Sequence, residues 1–577
     1  MKKILEMSLA ALIVCAALAA SARCSNPDPT QPGPLQVASA IYDFGDTALH
    51  TNGFPGPIEF RGIVFYPKDL SNGPYPFLVF LHGRHNTCYD NHGNDSFAWP
   101  CSAGFQPIPN FEGYNYIAQN LASNGYIVVS ISANGISAAD NVPDGGALAR
   151  AELIQIHLDL WNVYNTSGGA PFGNLFVGKV DLSRVGTMGH SRGGEGVVRH
   201  YALNQSLGSP YKIKAVFALA PIDFNHEVIN NVPLAVILPY CDGDVSTLEG
   251  VHYYDDSRYN VPNDPAPKYV VLVMGANHNY FNTIWTPSIF PVASGDDWGS
   301  QDSFCGASVP GNGRLTPAQQ ENAGLAFVGA FLRANVGGET QFVPLLTGAA
   351  PAPPSASPSK IHVSYQAPST PGLRLDANRF LSPFNLEVNS LGGLVTEANM
   401  TPFNVCGASG ETTPCLSGQP EGRQPHTDSF FGTGQLSSLI TGWGPESGYS
   451  FTIPSGLGNV KDYQALQFRA AVNFADPRNA TGVPQDLMVV LTDGTGKSGS
   501  VRVSVASPGT LFFPPGTASL NGPVPRNILN MVRIPMSEFA AFGVNLSDIA
   551  RINFRFNETA AGGILVTDVS FTNPPTQ

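Results

Sequence analysis

Only 13% of the 577 residues carry a charge, and acids outnumber bases, 43 Asp and Glu against 30 Lys and Arg. So little charge, set beside 43% hydrophobic residues, excludes intrinsic disorder for most of the chain. The formal charge of -13 leaves no basic footprint, so nucleic acid is not expected as a partner. The acidity bears on solubility and does not point to a cationic substrate. Past the first residues, no stretch reaches the roughly 20 apolar residues that a membrane-spanning helix requires, so no transmembrane segment is expected.

The opening residues read as an export signal. Lys2 and Lys3 precede the apolar run Leu9 to Ala20, and Ala20-Ser21-Ala22 fits a small-x-small cleavage site. A signal over 1–22 predicts a soluble, secreted product, extracellular or periplasmic. Disulfides persist in such compartments. Local spacing pairs Cys88 with Cys101 and Cys406 with Cys415, which leaves Cys241 for Cys305, although spacing does not prove connectivity. Cys15 departs with the signal, and Cys24 is left over. Lipid anchoring at Cys24 is the alternative to a soluble product, but Arg23 is a poor residue to precede a lipidated cysteine.

The length implies roughly two to four domains. Residues 23–36 are Pro-rich and polar, as in a flexible spacer. Over 37–346, short apolar runs alternate with helical patterns, which predicts an α/β domain with a mostly parallel sheet. Strands are expected at Phe77–Leu81, Tyr126–Ile131, Arg184–Met188, Ala215–Leu219, Leu234–Leu238 and Tyr269–Val273. Helices are expected at Tyr114–Ala122, Ala147–Tyr164, Gly194–Leu203 and Pro317–Ala334, the last with Thr316 as its N-cap. Residues 347–361 form a Pro/Ala/Ser linker, semi-rigid through its prolines. Over 362–577, helical periodicity gives way to short alternating segments between Gly, Pro and Asn turns, the texture of an antiparallel β-sandwich.

One constellation carries chemistry. Gly189-His190-Ser191-Arg192-Gly193 lies between a strand-like run and a helix, where a sharp turn requires small flanking residues and exposes the serine hydroxyl. A bare match to this pattern is common, and the bland alternative is an ordinary Gly-rich turn; the placement argues for a nucleophile at Ser191. A serine needs a base. Gly275-Ala276-Asn277-His278 follows the last apolar strand, where a loop returns the imidazole to the serine, so His278 is the candidate. His50, His157, His200 and His362 read as surface or packing residues, and His190 as packing within the elbow. The base needs a carboxylate. Asp242 and Asp244, just past Leu234–Leu238, compete for that role, with Asp242 preferred. The oxyanion donors expected are the backbone N–H groups of Arg192 and of Arg84, in the loop after Leu81.

Leu81-His82-Gly83, the Ser191 pentapeptide, the acid after the seventh strand and Gly275–His278 together resemble the α/β-hydrolase superfamily. Within it, the likeness is to secreted cutinase-like and polyester-hydrolase-like serine esterases, over about residues 40–340. The Cys88–Cys101 loop and the stretch Tyr280–Gly313 depart from compact cutinases. That stretch carries Trp285, Phe290, Trp298 and Phe304, and reads equally as a substrate wall or as a loop packed on itself. The segments around Val532–Met536, Ile552–Phe556 and Gly563–Asp568 resemble the jelly-roll modules of secreted carbohydrate-active enzymes, which implies glycan or surface contact; a spacer without ligand is the alternative. Asp255-Asp256 and Asp296-Asp297 read as solvated surface, with calcium binding as the other reading.

The function expected is hydrolysis of a carboxylic ester, small-molecule or polymer, through an acyl-enzyme, with no metal and no organic cofactor required. An amidase or peptidase of the same fold is the alternative among enzymes. A surface- or glycan-binding protein with a vestigial hydrolase domain is the alternative from another class.

Overall fold

The computed structural model describes residues 27–576, apart from 52, 293, 300, 382–385, 407–414, 417–436 and 517–524. The export signal, Cys24 and the first residues of the spacer lie outside the described residues.

The apolar runs become the central strands of a nine-stranded sheet. Its strands are β1 (Val37–Asp43), β2 (Arg61–Pro67), β3 (Tyr75–Leu81), β4 (Ile127–Ile131), β5 (Val180–His190), β6 (Ile213–Leu219), β7 (Leu234–Pro239), β8 (Lys268–Val273) and β9 (Ile361–Gln366). Their spatial order is β1-β2-β4-β3-β5-β6-β7-β8-β9. Pairings from β4 through β8 are parallel, whereas β1 with β2, β2 with β4 and β8 with β9 are antiparallel. Every residue of β3, β4, β7 and β8 is buried, which explains their unbroken hydrophobicity: helices cover both faces. Those helices include α1 (Asn115–Ser123), α2 (Ala147–Thr166), α3 (Arg192–Ser206), α4 (Val251–Ser257) and α5 (Pro317–Asn335). Thr316 caps α5, accepting from the Gln319 N–H while the Gln319 side chain accepts from the Thr316 N–H.

Two connecting segments differ from expectation. Within the Pro-rich segment before β1, Asn120 of α1 donates to the Thr30 carbonyl (2.9 Å) and the Gly33 N–H donates to Ser123 Oγ (2.7 Å), so its described part is docked on α1. The 347–361 segment is docked as well. Ala352 and Ala356 join the core beneath α5, and Ile361 already starts β9, whose Tyr365 stacks on Tyr269 of β8 at 5.4 Å. Proline limits backbone freedom, but small Ala and Ser side chains still let a segment lie flat on a helix. A boundary at 361/362 therefore falls inside the first sheet.

Beyond β9 the strands are β10 (Arg374–Asn378), β11 (Val395–Cys406), β12 (Ser438–Thr452), β13 (Ala465–Val472), β14 (Met488–Asp493), β15 (Ser498–Arg502), β16 (Asn530–Pro535), β17 (Ile549–Arg555) and β18 (Gly562–Thr572). All their pairings are antiparallel, in the order β15-β14-β17-β12-β18-β13-β16, with β10 beside β18 and β11 beside β12. β12 pairs with β18 over Leu439–Trp443 and with β17 over Gly448–Thr452. One long strand thus passes from one part of the sheet to the other, wrapping it around a core that holds Trp443, Tyr449, Phe451 and Phe554. Phe542 is the one exposed aromatic among the described residues of this region.

The two regions meet through buried charge. Arg469 of β13 donates to Asp255 of α4 at 2.5 Å, and Arg258 pairs with Asp568 of β18. Asp255 is therefore not solvated surface, because its charge is met by an arginine of the other region. Disulfides join Cys88 to Cys101, Cys241 to Cys305 and Cys406 to Cys415.

Candidate active site

Ser191 sits between β5 and α3 with φ 58° and ψ -125°, a left-handed backbone that a non-glycine residue adopts only when its surroundings impose it. The neighbouring glycines permit the turn. A Cβ on Gly189 would collide with the Gly193 carbonyl, and a Cβ on Gly83 would stand 2.5 Å from the Ser191 Cβ and 2.7 Å from the His190 carbonyl oxygen. The loop after β3 is thereby pressed against the serine. The Arg192 N–H lies at the open N-terminal end of α3, where the helix dipole favours negative charge. Among the described residues, neither the Arg84 nor the Arg192 N–H donates to another backbone carbonyl.

His278 follows β8 and is buried. Its Nδ1 bonds Asp242 Oδ2 at 2.8 Å, and Asp242 Oδ1 accepts from the N–H groups of Asp244 (3.0 Å) and Val245 (2.6 Å). Asp244, with 63% of its side chain exposed, approaches the other ring nitrogen, Nε2, at 3.5 Å. The two competing acids thus lie on opposite edges of the imidazole. Burial works against charge on His278, but the carboxylates of Asp242, Asp244 and Asp297 outweigh it and push the imidazole up to about 9. No hydrogen bond joins Nε2 to Ser191 Oγ; Nε2 is buried without a hydrogen-bond partner. His190 packs beside His278 with ring centres 4.9 Å apart, bonds the Tyr114 hydroxyl, and is held well below the usual imidazole range by burial.

Several supporting residues have no sequence motif. Asp297 accepts from the N–H groups of Gly243 (2.6 Å), His278 (3.1 Å) and Asn279 (3.2 Å), fixing the acid loop to the histidine loop. Burial and the nearby Asp242 charge push its carboxyl up to about 6. Asp296 pairs with Arg314 at 2.9 Å. Neither is solvated surface, because backbone amides and an arginine engage them. Asp140 gathers three arginines, Arg84 (3.0 Å), Arg150 (2.8 Å) and Arg192 (3.1 Å), and so orients the Arg84 and Arg192 side chains. From the second region, Arg526 donates to the carbonyls of Tyr240 (2.9 Å), Ser246 (2.7 Å) and Asp242, with its guanidinium over the Trp298 ring.

A cavity of about 220 Å³ opens on Ser191, lined also by Arg84, Arg192, Ile222, Phe224 and Val245. The aromatics of Tyr280–Gly313 do not line it. Trp285 is buried, stacked on His85 and tilted against His190 (ring centres 4.8 Å apart in each pair); Phe290 meets Tyr89, and Phe304 meets Tyr240. These side chains are pinned to the rest of the domain, so they form neither a wall of this cavity nor a self-packed loop.

No family model matches the chain. It is 26% identical over 277 residues to a cutinase of Thermobifida fusca (strain YX), covering 46% of this chain and 74% of the relative. The cutinase est1 of Thermobifida alba is 26% identical over 263 residues, 44% of this chain and 71% of the relative. A bis(hydroxyethyl) terephthalate hydrolase of Streptomyces coelicolor is 27% identical over 200 residues, 33% of this chain and 50% of the relative. These likenesses support an α/β-hydrolase region and, at family level, an ester-hydrolysing serine hydrolase.

Proposed function

We propose that the chain is a secreted carboxylic ester hydrolase that works through an acyl-enzyme on Ser191. The observation that carries this reading is the buried His278–Asp242 hydrogen bond, with Asp244, at the other ring nitrogen of His278, lining the same cavity as Ser191. Ser191 Oγ attacks the ester carbonyl, and its proton passes to His278 Nε2. Asp242 at Nδ1 fixes the tautomer and stabilises the imidazolium that forms. The Arg84 and Arg192 amides receive the oxyanion. His278 then returns the proton to the departing alcohol, and water repeats the sequence to release the acid. The hydrogen bond from Ser191 to Nε2 forms as substrate enters, since such contacts are commonly loose before binding.

Cutinase-like relatives favour ester over amide substrates, and the apolar side chains of Ile222, Phe224 and Val245 provide a surface for an acyl chain or a polyester segment. We assign catalysis to 37–366, which keeps β9 with the sheet it completes, and treat the antiparallel region beyond it as an accessory domain with a β-sandwich core. The test is turnover of p-nitrophenyl esters of graded acyl length by the full chain and by Ser191→Ala. Loss of turnover by about a thousandfold or more in the variant is expected. Equal turnover in both proteins would overturn the mechanism.

A further inference from the structure

Behind the cavity wall, between Ile222 and Phe224, the side chain of Asp223 turns the other way, toward two histidines. Asp223 Oδ2 lies 2.9 Å from His252 Nδ1 and 3.3 Å from His226 Nδ1, and the ligand atoms of all three residues fall within 4.8 Å of one another. The two imidazoles stack with centres 5.6 Å apart and planes 17° from parallel. Asp223 and His252 are each 1% exposed, while His226 reaches solvent with a quarter of its side chain. The other carboxylate oxygen, Asp223 Oδ1, is buried and has no hydrogen-bond partner. The residues come from two places, the loop after β6 and helix α4, so their convergence is a product of the fold.

We propose that Asp223, His226 and His252 form a zinc site that ties the loop behind the cavity to α4. Two imidazole nitrogens and one carboxylate oxygen make a donor set suited to zinc; calcium and magnesium prefer oxygen alone. Tetrahedral bonds of about 2.0–2.2 Å place neighbouring ligand atoms roughly 3.4 Å apart, so the cluster needs only a small rearrangement to admit the ion. Solvent fills the fourth position on the side where His226 is exposed, which is also the way in. The Asp223 N–H donates to Glu249 Oε1 at 3.1 Å and holds the backbone of the ligand loop. The competing account is a plain ion pair, Asp223 with His252, beside a surface histidine. The ion proposed here is structural, and the chemistry at Ser191 does not pass through it.

The full chain is stripped with a chelator, dialysed against a slight excess of zinc, and measured for bound metal. One zinc per chain is expected in the wild type and in His278→Ala. His226→Ala, at a partly exposed position that should leave folding intact by circular dichroism, is expected to weaken zinc by more than about 100-fold. His92→Ala, at an exposed surface position, should bind as the wild type does. Cobalt substitution should give the intense visible bands of a tetrahedral N/O site in the wild type and not in His226→Ala. Zinc should also raise Tm in the wild type alone of that pair. Absence of stoichiometric zinc in the wild type, or full retention in His226→Ala, overturns the proposal and leaves the ion pair. Loss of zinc in His278→Ala overturns it too, by moving the metal to the catalytic histidine.

Discussion

The guanidinium of Arg526 donates to the main-chain carbonyl of Asp242 across 284 residues of sequence. With bonds to Tyr240 and Ser246 as well, one arginine from the antiparallel region encloses the loop that presents the acid to His278.

Arg526→Ala should therefore impair the hydrolase although the residue lies far from Ser191 in sequence. Three buried carbonyls lose a charged donor, and the acid loop gains freedom. A lower Tm and a fall in kcat of about 10- to 100-fold are expected. Arg526→Lys, which can restore one or two of the bonds, should recover part of the loss. Unchanged kcat with lowered Tm would show a purely structural contact.

Asp242 and Asp244 should separate cleanly. Asp242→Ala removes the partner of Nδ1 and is expected to lower kcat by about 10⁴, whereas Asp244→Ala should cost less than about tenfold.

The pH profile should separate them as well. His278 acts as base only when neutral, and its pKa is raised, so kcat/KM should climb with pH on the alkaline side of the ordinary imidazole range. Asp244→Asn removes a negative charge that favours the imidazolium, so the rising limb should move to lower pH. Because Asp244 is largely exposed, the shift should be about half a unit. A shift to higher pH would contradict the placement of Asp244 beside Nε2.

Gly83→Ala tests the close approach of the β3 loop to the elbow. The added methyl meets the Ser191 Cβ and the His190 carbonyl, so either the donor loop or the serine must retreat. A loss of about 100-fold in kcat with little change in KM is expected on substrates that saturate the enzyme.

The Cys241–Cys305 link closes a loop of 64 residues and anchors the residue next to Asp242. Chain entropy alone gives such a crosslink about 4 kcal/mol. Replacing both cysteines with serine should lower Tm by several degrees and shorten the half-life of activity on heating, with the initial kcat less affected.

How far the sequence foretells this arrangement depends on how local each signal is. The elbow is legible because its signal is a five-residue pattern, with Gly189 demanded by the Gly193 carbonyl four residues on, even though Gly193 itself is demanded by the distant carbonyls of Leu81 and His82. The buried strands are legible because each is apolar throughout. The choice between Asp242 and Asp244 is not, since both occupy one turn and only the ring of His278 distinguishes them. Asp297 and Arg526 leave no trace in any window, because what they bond lies tens or hundreds of residues off, and Asp140 shows at most Arg150, ten residues on, with Arg84 and Arg192 more than fifty residues away. Asp255 reads as a solvated charge for the same reason: its partner Arg469 is 214 residues on. The Pro/Ala/Ser segment misleads because composition reports backbone stiffness and says nothing of where a segment docks. β9 misleads because an antiparallel edge strand has the same texture whichever sheet receives it.

That last strand has a further consequence. Along its outer side β8 is paired only with β9, over the full run Lys268–Val273. A chain cut after residue 346 would keep the elbow, both competing acids and the histidine, yet present the six-residue edge Lys268–Val273, apolar in all but its lysine, with nothing alongside. Such an edge recruits other chains. The natural guard against self-association of the catalytic sheet is thus carried on the far side of the segment that looks most like a place to cut.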